Sequence, residues 1–269
     1  MRGTRMKYIL DFVEGYVFVN DSYAKHIYLT SFYIIALTVL AYAIHPLISH
    51  SLPFYYETPW GSESFSAFAS SYFVMFFDLY LIQFVSTIND FTYLMCADAI
   101  CYRLNRVKSL LESIEGEEDE GKLIRAIKEH QDILRTLNML ADTISPNFFM
   151  QVFATLSIVI FSAFTAVTSN ESQHFSACLS TLATLLTYCW LGQMVTNATE
   201  ALHFAAYNNK WYNCNRRMKM NLQILSSFTR EPFEIRGCSI VRMNLQTFKE
   251  VVTDSYSYLM ILITMDDTS

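Results

Sequence analysis

A helix needs roughly 20 mostly apolar residues to cross a bilayer. Four windows of the chain meet that demand clearly, at about 28–48, 68–88, 143–170 and 172–199. The first lies within a charge-free stretch from His26 to Tyr56, and the third and fourth carry no charge. The second contains Asp78. A fifth window, 245–265, is cleanly apolar only over 255–265, because Lys249, Glu250 and Asp254 occupy its first half. One apolar run is also what a buried soluble helix looks like; four within 269 residues are not. The pattern predicts an all-α, polytopic membrane helical bundle of about five transmembrane helices.

Lys and Arg mark the cytosolic side of such a bundle. The leader holds Arg2, Arg5, Lys7 and Lys25, and the next loop, 49–67, holds none. The stretch 97–142 holds Arg103, Arg106, Lys108, Lys122, Arg125, Lys128 and Arg135, and the turn near Asn170 holds none. Residues 200–238 hold Lys210, Arg216, Arg217, Lys219, Arg230 and Arg236, and the tail has only Asp266 and Asp267. The alternation puts the N-terminus inside and the C-terminus outside, opposite to a receptor that couples to G proteins. The expected segments are a cytosolic leader (1–26), two spans (27–96) around an outer loop (49–67), a cytosolic loop and helix (97–142), two further spans (143–199), a cytosolic anchor segment (200–244), and a last helix with an outer tail (245–269).

Composition agrees and narrows the chemistry. Hydrophobic residues make up 52% and charged residues 16%, where soluble domains average about 25% charged. A net charge of −6 is too mild, and of the wrong sign, to suggest nucleic acid. Cys96, Cys101, Cys214 and Cys238 fall inside and Cys178 and Cys189 within a span, so no outer disulfide framework is expected. There is no P-loop, Gly-rich dinucleotide turn or nucleophile elbow, and the His residues are scattered. The expectation is no enzyme, no metal and no cofactor.

The inner segments read as structured. Leu123, Ile127, Leu134 and Leu137 recur at helical spacing up to Ser145-Pro146. They fit a helix lying along the membrane or one that continues a span and packs with others. The acidic run 115–120 reads as a solvated loop. His203, Tyr207, Trp211 and Tyr212 among basic residues fit a partner surface or membrane-interface anchoring. A glycosylation sequon, Asn170-Glu171-Ser172, falls on the outer side. Asp78 is expensive in lipid and must face protein or water, with Tyr80 and Gln83 nearby. Glu250 and Asp254 share a helical face and repel, so the last span must find partners elsewhere. A charged inner half and an apolar outer half suit a pore closed by a hydrophobic constriction; a long helix with those charges in the cytosol is the plain alternative.

The C-terminal third resembles an insect odorant receptor. The residues that carry this are Ala205-Ala206-Tyr207-Asn208-Asn209-Lys210-Trp211, Pro232, Leu245-Gln246-Thr247-Phe248-Lys249 and Ser255-Tyr256-Ser257-Tyr258-Leu259. Pro53 and Pro59-Trp60 resemble that family's second outer loop. The family's seven-helix fold then implies that the five spans here are its last five, with the first two absent.

The resemblance implies a tuning-receptor subunit of a ligand-gated, non-selective cation channel, built as a hetero-tetramer with the family's odorant receptor co-receptor. It implies the plasma membrane of olfactory sensory neurons, small volatile odorants and lipid as partners, and no G protein. Tyr258, Ile261 and Thr264 would line the pore and gate, and Tyr207, Trp211, Thr247 and Phe248 the subunit anchor. Tyr42, His45, Phe73, Phe76, Phe77 and Leu182, with Leu185 beside it, would line an odorant pocket in the outer half. A gustatory receptor of the same superfamily, or a truncated membrane protein that does not conduct, are the alternatives.

Overall fold

The computed structural model describes residues 23–49, 65–169 and 172–266. The leader before residue 23, the loop 50–64, Asn170 and Glu171 of the sequon, the residues after 266, and the side chains of Tyr42 and His45 lie outside the described residues. The described chain runs α1 (Tyr23–Ser49), α2 (Phe65–Glu112), a 3-10 turn (Glu117–Asp119), α3 (Glu120–Ser169) and α4 (Ser172–Tyr207). A second 3-10 turn (Trp211–Asn213), α5 (Arg216–Phe228), the two-residue strands β1 (Arg236–Gly237) and β2 (Val241–Arg242), and α6 (Leu245–Asp266) complete it.

Length explains the division of labour along the helices. α2 has 48 residues and α3 has 50. At 1.5 Å per residue each exceeds a hydrocarbon core of about 30 Å more than twofold. Three described segments are long and apolar enough to cross a membrane: Phe68–Glu112, Glu117–Thr165 and His174–Tyr207. The windows at 28–48 and 245–265 are helical but are not among those three. The chain clusters into two compact units, one built on Tyr93–Gln151 and Tyr188–Phe248, the other on Lys25–Thr92, Val152–Thr187 and Lys249–Ser269.

In the first unit, α3 buries Leu123, Ile133, Leu137, Leu140, Ile144 and Phe148. In the same unit α2 buries Leu94, Ile100, Leu104 and Leu111, all nearly inaccessible. Of the stripe read from sequence, Leu123 and Leu137 are buried and Ile127 and Leu134 half-buried. The packed, continuing helix is therefore the reading that the structure takes. At Ser145-Pro146, where the cytosolic helix was expected to meet the third span, α3 runs on through Pro146. Proline removes one backbone donor there, and the segment 229–247 is docked at this point instead. The Cys238 N–H donates to Ser145 Oγ at 2.8 Å. A Cβ on Gly237 would meet Phe148 Cδ1 at 2.9 Å.

The same segment is held on its other side by α4. The Thr196 hydroxyl donates to the Phe233 carbonyl at 3.2 Å, and Thr199 Oγ1 accepts from the Phe233 N–H at 3.0 Å. One turn earlier, a Cβ on Gly192 would lie 1.9 Å from the Met243 carbonyl oxygen. Gly192, Thr196 and Thr199 share one face of α4. The hairpin closes through Ile240 N–H to Gly237 O at 2.9 Å, with Cys238 and Ser239 at φ 48° and 64°. Left-handed backbone without glycine costs roughly 1–2 kcal/mol per residue, which the clamp offsets.

The acidic turn between α2 and α3 is more than a solvated loop. The Lys210 ammonium lies 2.6 Å from Glu115, and Asn213 Nδ2 donates to the Glu115 carbonyl at 3.3 Å. Arg217 pairs with Glu120 at 3.7 Å and Lys122 with Asp119 at 2.8 Å. Glu117 and Glu118 are exposed. The bond to Lys210, and then its charge, hold the Glu115 carboxyl below its ordinary range. The same partner holds the Lys210 ammonium above its own.

In the second unit, the Tyr72 hydroxyl donates to the Ala43 carbonyl at 2.9 Å, tying α2 to α1. The Thr38 hydroxyl reaches the Ser176 carbonyl at 3.2 Å, tying α1 to α4.

Two outcomes test this arrangement. Gly192→Ala forces backbone aside and is expected to cost about 1–3 kcal/mol or more. Gly237→Ala meets the Phe148 ring at 2.9 Å and the Phe149 backbone only at 3.2 and 3.3 Å, and should cost less. Thermal melts of the purified chain in detergent compare them; equal melting temperatures for Gly192→Ala and the parent would refute the close crossing. The Glu115–Lys210 pair acts through a depressed carboxyl, so its contribution is in force above the ordinary carboxylate range. It is lost as pH falls through the lowered value. Both partners are exposed, so the effect is small and fades with salt. Glu115→Gln should flatten that acid limb of a melting-temperature profile at low ionic strength and leave neutral pH in high salt unchanged.

Candidate functional site

α6 begins on a built cap. The Thr247 N–H donates to Asn244 Oδ1 at 2.9 Å, and the Thr247 hydroxyl to the Arg242 carbonyl at 2.7 Å. Thr247 is buried and Phe248 half-buried. Of the four anchor residues expected from sequence, Thr247 therefore spends its polar groups inside its own chain. Tyr207 and Trp211, at 68% and 46% exposure, are open. They line a groove of about 450 Å³ with Leu222 and Lys219 of α5. The Trp211 and Tyr212 rings meet edge-on at 6.2 Å.

Further along, α6 buries Val251 and Ser255 and half-buries Leu259 and Leu262. Tyr258, Ile261 and Thr264, the three residues assigned to a pore from sequence, are all exposed. Spacings of three place them on one face, away from the packed stripe. The Thr264 hydroxyl donates to the Met260 carbonyl at 2.7 Å, within reach of Ile261 O at 2.9 Å, so its proton is spent on its own helix. Glu250 and Asp254, also exposed, continue this face toward the start of the helix. The result is a stripe with carboxylates at one end and methyl, ring and aliphatic surface at the other.

The residues expected around an odorant are placed less together. Phe73 and Phe77 on α2 are more than half exposed, and Phe76 is 37% exposed, with its ring stacked on Tyr72 at 6.3 Å. Leu182 on α4 is half-buried, and its neighbour Leu185 is buried. The α1–α2 pair instead forms an open apolar cavity of about 500 Å³. Phe32 and Val39 of α1 and Tyr80, Gln83, Phe84 and Phe91 of α2 line it, and none of Phe73, Phe76, Phe77 or Leu182 does. Gln83 Nε2 donates to Thr87 Oγ1 at 3.3 Å on its wall. Sequence reasoning missed this cavity, although Tyr80, Phe84 and Phe91 share a helical face and Phe32 sits in the facing window. Asp78, expected to face protein or water with Tyr80 and Gln83 nearby, is exposed and lies outside this wall.

A family model described as 7tm odorant receptor matches residues 8–256. Odorant receptor 67c of Drosophila melanogaster is 23% identical over 205 residues, covering 72% of this chain and 51% of that protein. Odorant receptor 94a of the same fly is 23% identical over 233 residues, covering 82% and 60%. The chain thus spans about half the length of the curated relatives it matches. The structure of the insect olfactory receptor OR5 from Machilis hrabei in complex with eugenol superposes with a TM-score of 0.74 at 16% identity. That match covers 98% of this chain and 70% of that one.

Proposed function

The chain belongs to the 7tm odorant receptor family, a family of multi-pass membrane receptors rather than enzymes, and from that premise we propose that it is an odorant-receptor subunit of a ligand-gated, non-selective cation channel. The proposed topology has five crossings, with the N-terminus inside and the C-terminus outside. The proposed assembly is a hetero-tetramer with the family's co-receptor, in the plasma membrane of olfactory sensory neurons.

The observation that carries the reading is the open face of α6. A single chain packs Val251 and Ser255 and leaves Tyr258, Ile261 and Thr264 uncovered. Copies of such a face around an axis make a constriction that is dry when narrow and wet when wide. Carboxylates at Glu250 and Asp254 below it raise the local concentration of cations and disfavour anions. Tyr207 and Trp211 supply open aromatic surface of the kind that anchors a subunit contact.

The proposed ligand is a small volatile molecule with an apolar body and at most a few polar atoms, the class to which the eugenol of the OR5 complex belongs. We assign its pocket to the outer half of the bundle, with Tyr42, His45, Phe73, Phe76, Phe77 and Leu182 as its wall. Dispersion and shape dominate in such a site, and few hydrogen bonds are available to discriminate.

Co-expression with the co-receptor and recording under an odorant panel tests this. Odour-evoked cation current is expected, with Ile261→Ala shifting the closed-state leak and Asp254→Asn lowering conductance. Phe73→Ala and Phe76→Ala should raise the half-maximal odorant concentration about tenfold, the equivalent of 1.4 kcal/mol of lost contact. Surface expression without current, for the full transcript, would overturn the channel reading.

A further inference from the structure

Of the six Lys and Arg residues in 200–238, three are spent within the chain. Lys210 pairs with Glu115, Arg217 with Glu120 and Arg236 with Glu234. Arg216, Lys219 and Arg230 have no ion-pair partner among the described residues. Two of those three, Lys219 and Arg230, line the same groove beside Trp211 and Tyr207. No Asp or Glu contributes to the groove's described wall.

A neighbouring cavity of about 520 Å³ provides the contrast. It also has two cations in its wall, Arg236 and Arg242, but Glu231 and Glu234 line it with them. Both guanidiniums there rest on Glu234, at 2.9 and 3.5 Å. That cavity neutralises itself and the groove does not. The groove adds the Ser226 and Ser227 hydroxyls and the Gln223 amide to its two cations. The Ser227 hydroxyl already donates to the Gln223 carbonyl at 3.0 Å, which leaves the Ser226 hydroxyl and the Gln223 amide as the groove's neutral donors toward an anion.

We propose that this groove between the end of α4 and α5 binds a phosphomonoester, with the phosphate between Lys219 and Arg230 and the rest of the ligand against Trp211 and Tyr207. A phosphomonoester carries nearly two negative charges at neutral pH and three acceptor oxygens. That matches two unpaired cations better than a single carboxylate does. Arg favours bidentate contact with phosphate, and Lys adds a point charge. The aromatic floor suits a ring or polyol face in van der Waals contact. The chemistry is shared by a phosphoinositide headgroup at the membrane surface and by a soluble phosphate ester. The groove shares Tyr207 and Trp211 with the subunit contact of the channel reading, so its test is made on this chain without the co-receptor; neither α6 nor the α1–α2 cavity takes part.

The test uses the full chain reconstituted in phosphatidylcholine nanodiscs, with or without phosphatidylinositol 4,5-bisphosphate. The soluble inositol trisphosphate headgroup and inorganic phosphate are added separately. Saturable binding is read by Trp fluorescence and by thermal stability. Lys219→Gln with Arg230→Gln should weaken binding at least about tenfold. Arg216→Gln removes an unpaired cation outside the groove and should change it less than about twofold. Binding of the lipid alone assigns the site to a membrane headgroup, and equal binding of the soluble headgroup assigns it to a free ester. No saturable binding of any probe, or an equal loss in Arg216→Gln, overturns the proposal.

Discussion

The carbonyl of Met243 sits where α4 offers it a glycine hydrogen. A Cβ at Gly192 would stand 1.9 Å from that oxygen, which no rotamer adjustment relieves because the atom is backbone. This crossing fixes how closely the segment before α6 lies against α4. The threonines one and two turns further on then reach Phe233, and the hairpin tip reaches α3 at Ser145 and Phe148. The cap of α6, built from Asn244 and Thr247, follows directly from the placement of Met243. Lose the crossing, and the hairpin has no platform on which its left-handed turn is repaid.

Charge is arranged with similar economy. The chain is acidic overall, yet residues 208–230 carry five basic residues and no acidic one, and the acidic turn before α3 folds back to meet them. α5 starts with Arg216 and Arg217, cations at the end of a helix where a partial positive charge already resides. Asn215 caps that end by accepting from Met218 N–H at 2.9 Å, and Glu120 lies beside Arg217. Local helix rules alone disfavour this start, and long-range pairing compensates.

Much of the helical architecture was legible from the sequence. Uncharged runs of span length cannot be soluble surface, so the windows at 143–170 and 172–199 became helix as expected. Tyr258, Ile261 and Thr264 were singled out by the resemblance, and their spacing of three puts them on one helical face, which is exposed. Other features were not. Whether the helix before Ser145-Pro146 lies along the membrane or continues the span was left open by the sequence, and packing decides for the continuous helix through Pro146. The pairing of Glu115 with Lys210 spans 95 residues, and no local pattern encodes it. Thr247 looked like a surface anchor because its role depends on where the Arg242 carbonyl lies. The cavity of Phe32, Tyr80 and Phe84 was hidden because two apolar windows reveal their lengths and not how they face each other.

The hydroxyls of the second unit carry a mechanical consequence. Thr181, Thr184, Thr253, Ser255 and Ser257 each donate to a carbonyl three or four residues back on their own helix. A proton spent that way fastens nothing to a neighbour. Ser255, on the packed stripe of α6, therefore contributes shape without grip. Contacts of that kind resist separation far more than they resist slip, because dispersion is non-directional and re-forms after a small translation. The packed stripe of α6 at Val251 and Ser255 is thus held by fit and dispersion rather than by its own hydroxyl.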